Sequence, residues 1–477
     1  MDKNKTLTKQ GNSMKRIYLS TVALLTSSVM YANTTQELQN KITALQTNLS
    51  EIQEQLDTVQ QHDAKDNIKF TVDFRSEYNY LNYDYDNYHF KDKKGLHDLS
   101  GKSAGNDNLM ATRLFLNMKS SPSDKLTFTG QLAAYGVWGG HAYGFEDPTL
   151  KGWSTSSKAS DTLFRIRQAY FVYSDTFSND LPYSFSVGRR QSTDGFLANH
   201  REGNAEPGSP LAHITNMEVD AAMAKLDLSK YIKGAFVKTV VGRAHTGDGV
   251  ETLYDHGGYR PYAMEESDVN ENVDFLVVLG NLYDNGQYKL MFEHASIFNT
   301  KGMNSKTKKK SADAGTAYLD AISFQMTGIG DMVNDFLDDT TLFLSVARTQ
   351  YNPDATHTLL GSSDNETGYS VWAGFTIPDM LTQKGKIGFE YNHGSQYWTP
   401  MTWAEDSIMG SKIAVRGDAY EAYWNFNILG EKNLTGQLRY TYEQHDYTPN
   451  IRCSGWVKPE EVDIKAQNFR AFVRYQY

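Results

Sequence analysis

The 477-residue sequence contains a single cysteine, Cys453. One cysteine excludes an intramolecular disulfide and any zinc site built from several cysteines. Long apolar stretches are also missing. Beyond residue 32 no run of about 20 apolar residues occurs, so no helix that spans a bilayer is predicted. The formal net charge of −10 argues against nucleic acid as a partner.

Motifs for catalysis and cofactor binding are scarce as well. The twelve histidines are scattered, and none has the HExxH spacing of a zinc hydrolase. The segment "GKSAG", from Gly101 to Gly105, has the spacing of a nucleophile elbow, but it lacks the required preceding strand and following helix. No glycine-rich phosphate loop opens a helix. The sequence therefore predicts no enzymatic activity, no metal site and no cofactor.

Aromatic residues, by contrast, are abundant. They make up 13% of the chain and include thirty tyrosines, while the hydrophobic fraction is only 39%. This composition is expected where one half of each strand faces water inside a barrel and aromatic rings surround the outside.

The N-terminus resembles a secretory signal. Lys15 and Arg16 precede an apolar segment from Ile17 to Leu25, and Ala32 follows as a cleavage position. We predict a signal peptide over residues 1–32, with 1–13 as either an extension or an incorrectly assigned start.

Residues 33–66 contain apolar side chains at alternating spacings of four and three, which is the heptad pattern of a coiled coil. A single amphipathic helix is the alternative, but the narrow apolar stripe favours self-association. The predicted contact residues of this periplasmic coiled-coil segment are Leu38, Ile42, Leu45, Leu49, Ile52, Leu56 and Val59.

From residue 67 onward the pattern has a period of two. In the final segment "QNFRAFVRYQY", Phe469, Val473, Tyr475 and Tyr477 share one parity, and only Phe472 interrupts the polar parity. Such alternation places apolar residues on one face of a strand and polar residues on the other.

Similar segments recur along the chain. "IKFTVDFRS" and "MATRLFLNMK" place Arg75 and Arg113 opposite their apolar residues. "FRIRQAYFVY" sets Arg165 and Arg167 against Ile166, Tyr170 and Val172. The predicted strands lie near 67–81, 107–119, 124–138, 161–174, 182–191, 217–228, 234–245, 272–283, 286–297, 315–328, 340–350, 366–378, 385–394, 415–427, 433–445 and 466–477.

The connections between these strands alternate in length. Short links such as "YDNG" and "ILGEKN" are followed by long polar segments, including 82–106 and 192–216. A membrane barrel has short turns at one end and long loops at the other. The sequence thus predicts an all-β fold: a transmembrane antiparallel β-barrel of about 16 strands over 67–477, preceded by the short α-helical coiled coil.

These features resemble Gram-negative outer-membrane porins with an N-terminal periplasmic coiled coil. The last strand is similar to the signal read by the barrel-assembly machinery, carried here by Phe469, Val473, Tyr475 and Tyr477. The segments "SVGRRQSTDGF" and "HREGNAEPGSP" resemble a porin-like family catalogued only as a domain of unknown function. The resemblance implies a homotrimer in the outer membrane, with the N-terminal helix in the periplasm.

Inward-facing arginines are predicted to line the channel, together with charged residues of the third long loop. The resemblance implies that this loop folds into the lumen and places its carboxylates opposite the arginines; a loop covering the mouth is the alternative. The candidates are Arg75, Arg113, Arg165, Arg167, Arg190, Asp194, Arg201, Glu202 and Glu206.

The functional prediction is a porin for passive diffusion of small hydrophilic solutes, with a possible preference for anions. The inward arginines could equally be the polar half of the strands, paired with nearby carboxylates. A structural protein or adhesin with a plugged barrel is one alternative, and a barrel-embedded hydrolase is another. Further predicted partners are outer-membrane lipid and lipopolysaccharide, whose phosphates the segment "KTKKK" at 306–310 could contact.

Overall fold

The computed structural model describes residues 48–49, 51, 68–92, 95–138, 164–204, 206–208, 210–245, 272–311, 313–330, 333–382, 384–449 and 457–477. The predicted signal peptide and Cys453 lie outside the described residues. Of the predicted coiled coil only Asn48, Leu49 and Glu51 are described, and all three are helical. The coiled coil therefore stays a prediction.

Sixteen strands form one closed antiparallel barrel, which confirms the predicted fold class. In chain order they are Lys69–Asn87, Lys102–Ser123, Leu126–Val137, Arg165–Thr176, Pro182–Ser192, Met217–Asp227, Phe236–His245, Val273–Asp284, Tyr288–Phe298, Gly315–Thr327, Thr341–Pro353, Glu366–Pro378, Lys386–Gly394, Gly417–Asn427, Leu434–Tyr447 and Glu461–Gln476. Within the described part of the chain, no helix is both long and apolar enough to cross a bilayer.

Short elements lie in the connections between the barrel strands. They are the helices Ala198–Arg201 and Asp335–Asp338, the 3-10 helix Lys412–Ala414, and the strands His89–Asp92, Gly95–Asp98, Gly302–Asn304, Lys310–Ser311 and His357–Thr358. The helix Ala198–Arg201 and the 3-10 helix belong to the two loops that enter the barrel.

The first and sixteenth strands close the barrel. They pair antiparallel, with Arg75 opposite Arg474. The Tyr477 N–H donates to the Val72 carbonyl (2.9 Å), and the Val72 N–H donates to the Tyr477 carbonyl (2.8 Å). Because the seam is paired from Asp73 to Asn87 of the first strand, closure leaves neither terminal strand as a free edge.

The outer face of the barrel is apolar. Along the first strand Phe70 and Phe74 are exposed. Their neighbours Asp73 and Arg75, which flank Phe74, are buried inside the barrel. Val473 on the last strand is also exposed. In water this surface would be unfavourable, but it matches the apolar belt that a membrane barrel presents to lipid.

Charged pairs interrupt the outer face near the ends of strands that lead to the long loops. Arg189 pairs with Asp220 (2.9 Å), and Arg243 pairs with Asp274 (2.7 Å). All four lie within four residues of such a strand end. They therefore mark the border of the apolar belt on the long-loop side.

The segment 82–106 was predicted to be a long loop, and this prediction is wrong. The first strand extends to Asn87 and the second begins at Lys102, so the two strands continue as a paired hairpin. "GKSAG" accordingly runs from a turn into a strand, and the Ser103 hydroxyl donates to Asp84 (2.7 Å). A strand pair that extends beyond the lipid needs no apolar outer face. A sequence that alternates tyrosine with asparagine or aspartate can therefore form this hairpin.

The predicted outward orientation of Tyr170 and Val172 is also wrong. The pairing register of the fourth strand shifts between Ile166 and Gln168, which leaves Arg167 as an extra residue in a bulge. One extra residue exchanges the two faces for the rest of the strand. Ile166 is therefore exposed outside, whereas Tyr170 and Val172 line a cavity inside the barrel.

Candidate functional site: the lumen of the barrel

Two loops, 193–216 and 395–416, fold into the lumen. They pair with each other, because Thr215 forms a parallel bridge with Met401. The Met401 N–H donates to the Ile214 carbonyl (2.9 Å), and the Asn216 N–H donates to the Met401 carbonyl (2.8 Å). The first loop is the one whose inward fold the porin resemblance implied.

One side of the lumen holds these loops through apolar packing. Phe196, Leu211 and Ile214 of the first loop and Trp398 of the second are fully buried. They belong to one cluster with wall residues of the eighth to twelfth strands, among them Leu279, Leu319, Phe343 and Trp372. Burial of this much apolar surface favours one fixed loop position.

His213 lies at the centre of the apolar side. Its Nδ1 is 2.7 Å from the Ser345 hydroxyl and its Nε2 is 2.9 Å from the Ser370 hydroxyl. The imidazole packs edge-on against Trp398, with ring centroids 5.4 Å apart. Burial lowers the pKa of His213 to about 3, so the ring is neutral at pH 7.

The opposite side of the lumen is held by ion pairs centred on Asp406. Its Oδ1 accepts from Arg75 Nη2 (3.0 Å), and its Oδ2 accepts from Arg113 Nη1. Its backbone carbonyl accepts from Arg470 (2.9 Å). Burial acts to raise the pKa of Asp406, but the guanidinium groups of Arg75 and Arg113 outweigh it and hold this pKa well below its usual range.

A chain of ion pairs crosses the middle of the lumen. Arg201 Nη2 lies 2.6 Å from Glu405 Oε1, and Arg201 Nε lies 3.7 Å from Glu202 Oε1. Glu202 in turn accepts from Arg439 (3.0 Å). Although burial opposes it, the guanidinium groups of Arg439, Arg470 and Arg201 lower the pKa of Glu202 to about 2. Burial raises the pKa of Glu405.

The ion-pair chain separates two cavities. The cavity on the short-turn side has a volume of about 520 Å³ and is lined by Glu202, Glu206 and Arg474, among others. The cavity on the long-loop side has a volume of about 980 Å³, and Glu405 and Tyr83 line it. We call these the inner and outer vestibules. Glu202 lines one and Glu405 the other, so the fully buried Arg201 lies between them.

Positive and negative charges are balanced in this network. It contains seven cationic side chains and seven carboxylates, joined within 4.0 Å: Arg75, Arg113, Arg201, Lys412, Arg439, Arg470 and Arg474 with Asp73, Glu77, Glu202, Glu390, Glu405, Asp406 and Glu421. A charge in a low-dielectric interior is costly unless it is paired, which explains the balance.

The remaining arginine candidates occupy three different environments. Arg167 is buried and donates to Glu218 (2.6 Å) and to the Thr193 hydroxyl (2.9 Å). Arg190 lies inside the barrel over the Tyr170 ring, with its Cζ 4.7 Å from the ring centroid. Arg165 is exposed at the start of its strand.

The carboxylate candidates of the third loop separate as well. Glu202 joins the ion-pair network, and Glu206 is exposed in the inner vestibule. Asp194 has a positive φ of 52°. Burial, with the negative charges of Glu202 and Asp406 nearby, raises its pKa to about 6.

Phe472, the exception to the alternation in the last strand, is explained by the lumen. It is buried inside, with the Cζ atoms of Arg75 and Arg470 at 5.4 Å and 5.2 Å from its ring centroid. Phe115 is placed in the same way: the Cζ atoms of Arg113 and Arg167 lie 4.2 Å and 4.5 Å from the centroid of its ring. An aromatic ring at a polar parity position thus packs between guanidinium groups.

Sequence reasoning missed many charged residues of the ion-pair network. Strand parity could have identified the arginines Arg439, Arg470 and Arg474, because each lies on the polar face of its strand. No local pattern identifies Glu405 or Asp406, since they lie in a loop of irregular structure. Among the described residues no cluster of three or more histidine, aspartate or glutamate side chains could hold a metal ion.

Several solved structures have similar folds. OmpT, an outer membrane protein of Vibrio cholerae, is 13% identical; the match covers 86% of this chain and 97% of that chain, with a TM-score of 0.43. An anion-selective porin from Comamonas acidovorans is 10% identical, over 86% and 99% of the two chains, with a TM-score of 0.46. The outer membrane channel DcaP of Acinetobacter baumannii is 13% identical, over 86% and 97%, with a TM-score of 0.42.

No curated protein matches the sequence. One family model does, and it covers residues 103–471, which is most of the barrel. The chain belongs to the family described as "Protein of unknown function (DUF3373)".

Proposed function

We propose that this protein is an outer-membrane channel through which small hydrophilic solutes diffuse passively. The observation that carries the proposal is the arrangement of the lumen. Two vestibules lie towards opposite ends of a closed barrel, and the ion-pair chain Glu202–Arg201–Glu405 lies between them, with Glu202 lining one vestibule and Glu405 the other. Charged side chains at such a narrowing favour polar solutes over apolar ones.

Conductance across a planar lipid bilayer tests this proposal. The full chain, refolded and inserted, is expected to give discrete open steps. Glu405→Gln should change their size or frequency, because it removes the charge that pairs with Arg201. Glu206→Gln is the matched control, since Glu206 is exposed in the inner vestibule and has no part in the ion-pair chain. Absence of any conductance from correctly folded protein would contradict the proposal.

An anion preference is the finer part of the proposal. Because the charges of the ion-pair network are balanced, the network itself favours anions only weakly. The arginines outside the network therefore decide the ion selectivity. We expect Arg167→Glu to shift the reversal potential in a salt gradient towards cation selectivity, and Arg165→Glu to shift it less, because Arg165 is exposed at the barrel end. No shift in either variant would reject both as determinants of selectivity.

A plugged barrel with a structural or adhesive role is the second candidate. The close packing of both loops favours it, since Trp398, Arg201 and Lys412 are almost completely buried within the lumen. The same conductance experiment separates the two functions: a plugged barrel stays silent even when the Arg201–Glu405 pair is removed.

An enzymatic role has the least support. His213 and its partners Ser345 and Ser370 are the nearest approach to a catalytic arrangement, but all three are buried. The ring nitrogens of His213 bond to these two hydroxyl groups and to no carboxylate in the described structure. We infer that this cluster stabilises the loop and performs no chemistry.

Assembly and localisation complete the proposal. We propose a homotrimer assisted by the coiled coil at 33–66, with the N-terminal helix in the periplasm and lipopolysaccharide around the long-loop end. Phe469, Val473, Tyr475 and Tyr477 would be read by the barrel-assembly machinery. Mass measurement of the detergent-solubilised protein with and without residues 33–66 tests the oligomer, because loss of the coiled coil should lower the trimer fraction.

A further inference from the structure

A third cavity, apart from the two vestibules, lies inside the barrel against the wall of the fourth to tenth strands. Its volume is about 350 Å³, within the range of about 300–1,000 Å³ that small-molecule sites occupy. Most of its lining is apolar and includes Val219, Met223, Val240, Phe275, Leu279 and Leu319. We call it the side cavity. An apolar cavity of this kind accommodates a hydrocarbon portion of a ligand.

Two cationic side chains, Arg190 and Lys238, also line the side cavity, and none of its described lining residues is acidic. Within the described structure, Arg190 forms no ion pair. One of its nitrogens donates to the Ser186 hydroxyl, and its buried Nε has no hydrogen-bond partner. This contrasts with the arginines of the ion-pair network, each of which faces a carboxylate.

Glu293 contacts Thr215, which lines the side cavity, but the oxygens of its carboxyl group are already engaged. One accepts from the Leu211 N–H (2.6 Å) and the other from the Thr215 hydroxyl (2.7 Å). Glu293 therefore holds the in-folded loop against the wall and does not neutralise Arg190.

From this combination we propose that the side cavity binds an amphiphilic anion: a carboxylate with a hydrocarbon chain. The chain would lie among the valine, leucine and phenylalanine side chains, and the carboxylate would accept hydrogen bonds from Arg190. Burial of the chain supplies the affinity, and the guanidinium group supplies the preference for a negative head group. The proposal goes beyond the passage of hydrophilic solutes and does not require that the protein conducts.

Calorimetric titration of the full chain in lipid nanodiscs tests the proposal. The probes are octanoate, 1-octanol and octylammonium, which share one chain and differ in the charge of the head group. Empty nanodiscs provide the correction for partition into lipid. We expect saturable binding of octanoate, at least tenfold weaker binding of octanol and no saturable binding of octylammonium.

Two substitutions assign the binding to this cavity. Arg190→Gln should weaken octanoate binding about tenfold or more and leave octanol unchanged, because only the charged contact is lost. Arg189→Gln is the matched control: the neighbouring arginine faces outward and pairs with Asp220. Ala295→Phe, which fills the cavity, should abolish saturable binding of both compounds.

Three results would overturn the proposal. They are absence of saturable octanoate binding, equal affinity for octanol and octanoate, and equal effects of Arg190→Gln and Arg189→Gln. Each variant is first shown to be folded by its heat-dependent mobility on gels, so that loss of binding is not mistaken for loss of the barrel. Conductance is recorded separately, and its absence would leave the binding result valid.

Discussion

On one side of the lumen Trp372 and Trp398 pack around His213 with no exposed surface, whereas on the other Asp406 binds Arg75 and Arg113. The same two loops take part in both arrangements. Any movement of these loops would give up the close packing of their apolar side chains, because such packing fits only one arrangement. Loss of one partner of a buried ion pair also costs stability, but in addition it changes the charge inside the lumen. The apolar side therefore fixes the loops, and the ion-paired side sets the arrangement of charges in the lumen.

The largest effect should come from breaking the apolar side. Trp372→Ala removes a fully buried indole and should lower the free energy of unfolding by about 3–5 kcal/mol. The loop 193–216 should then become sensitive to added protease, and the channel noisier. Denaturant unfolding from vesicles, together with limited proteolysis, measures both. Trp138→Ala is the control, because Trp138 is exposed at the end of its strand; equal effects of the two substitutions would show that the loop does not depend on this packing.

Breaking the ion-paired side should alter selectivity more than stability. Asp406→Asn leaves Arg75 and Arg113 without their common carboxylate, so the lumen gains a positive charge. We expect the reversal potential to shift towards anions and the stability to fall by about 1–3 kcal/mol. Glu206→Gln again serves as the comparison. An unchanged reversal potential in Asp406→Asn would remove this network from the conduction path.

Acid should weaken the two sides at different pH. The pKa of His213 is lowered to about 3 by burial, so its stabilising contribution is complete above about 6.5 and is lost as the pH falls from 6.5 towards 3. The pKa of Glu202 is lowered to about 2, so its contribution is lost only between about 4.5 and 2. Asp194, with its pKa raised to about 6, acts in the opposite direction, because it is more favourable when protonated.

We therefore expect the loop to become sensitive to protease near pH 5, before the ion pairs respond. Proteolysis with an acid-tolerant protease at several pH values measures this order. His213→Gln, which has no titrating ring, should lose the increase in protease sensitivity between pH 7 and 5, because the titration of Asp194 acts in the opposite direction. A dependence that is the same in this variant would assign the change to another group.

The smallest effect is expected from Phe472→Leu. This substitution keeps an apolar side chain in the lumen but removes the ring beside Arg75 and Arg470, so the stability should fall by about 0.5–1 kcal/mol. Selectivity should stay unchanged, since no charge is lost. Parallel unfolding and reversal-potential measurements check both statements, and a large selectivity change would show that the ring itself borders the solute path.

The strands were predictable because lipid and water impose a period of two on each of them. Arg75 and Arg113 could be placed inside from parity alone. Parity failed at Tyr170, since a single bulged residue at Arg167 exchanges the faces and leaves no local mark in the sequence. It also failed for the hairpin beyond Leu81, where no lipid separates polar from apolar positions.

The sequence by itself determined the barrel, its even number of strands and the side of the short turns, because these depend on local alternation and on link length. Only the tertiary structure decided which carboxylate meets which arginine. Arg75 and Asp406 are 331 positions apart, and no local pattern encodes an encounter between a strand and an irregular loop. The physical reason is that a buried charge needs a partner but does not specify where in the chain that partner lies.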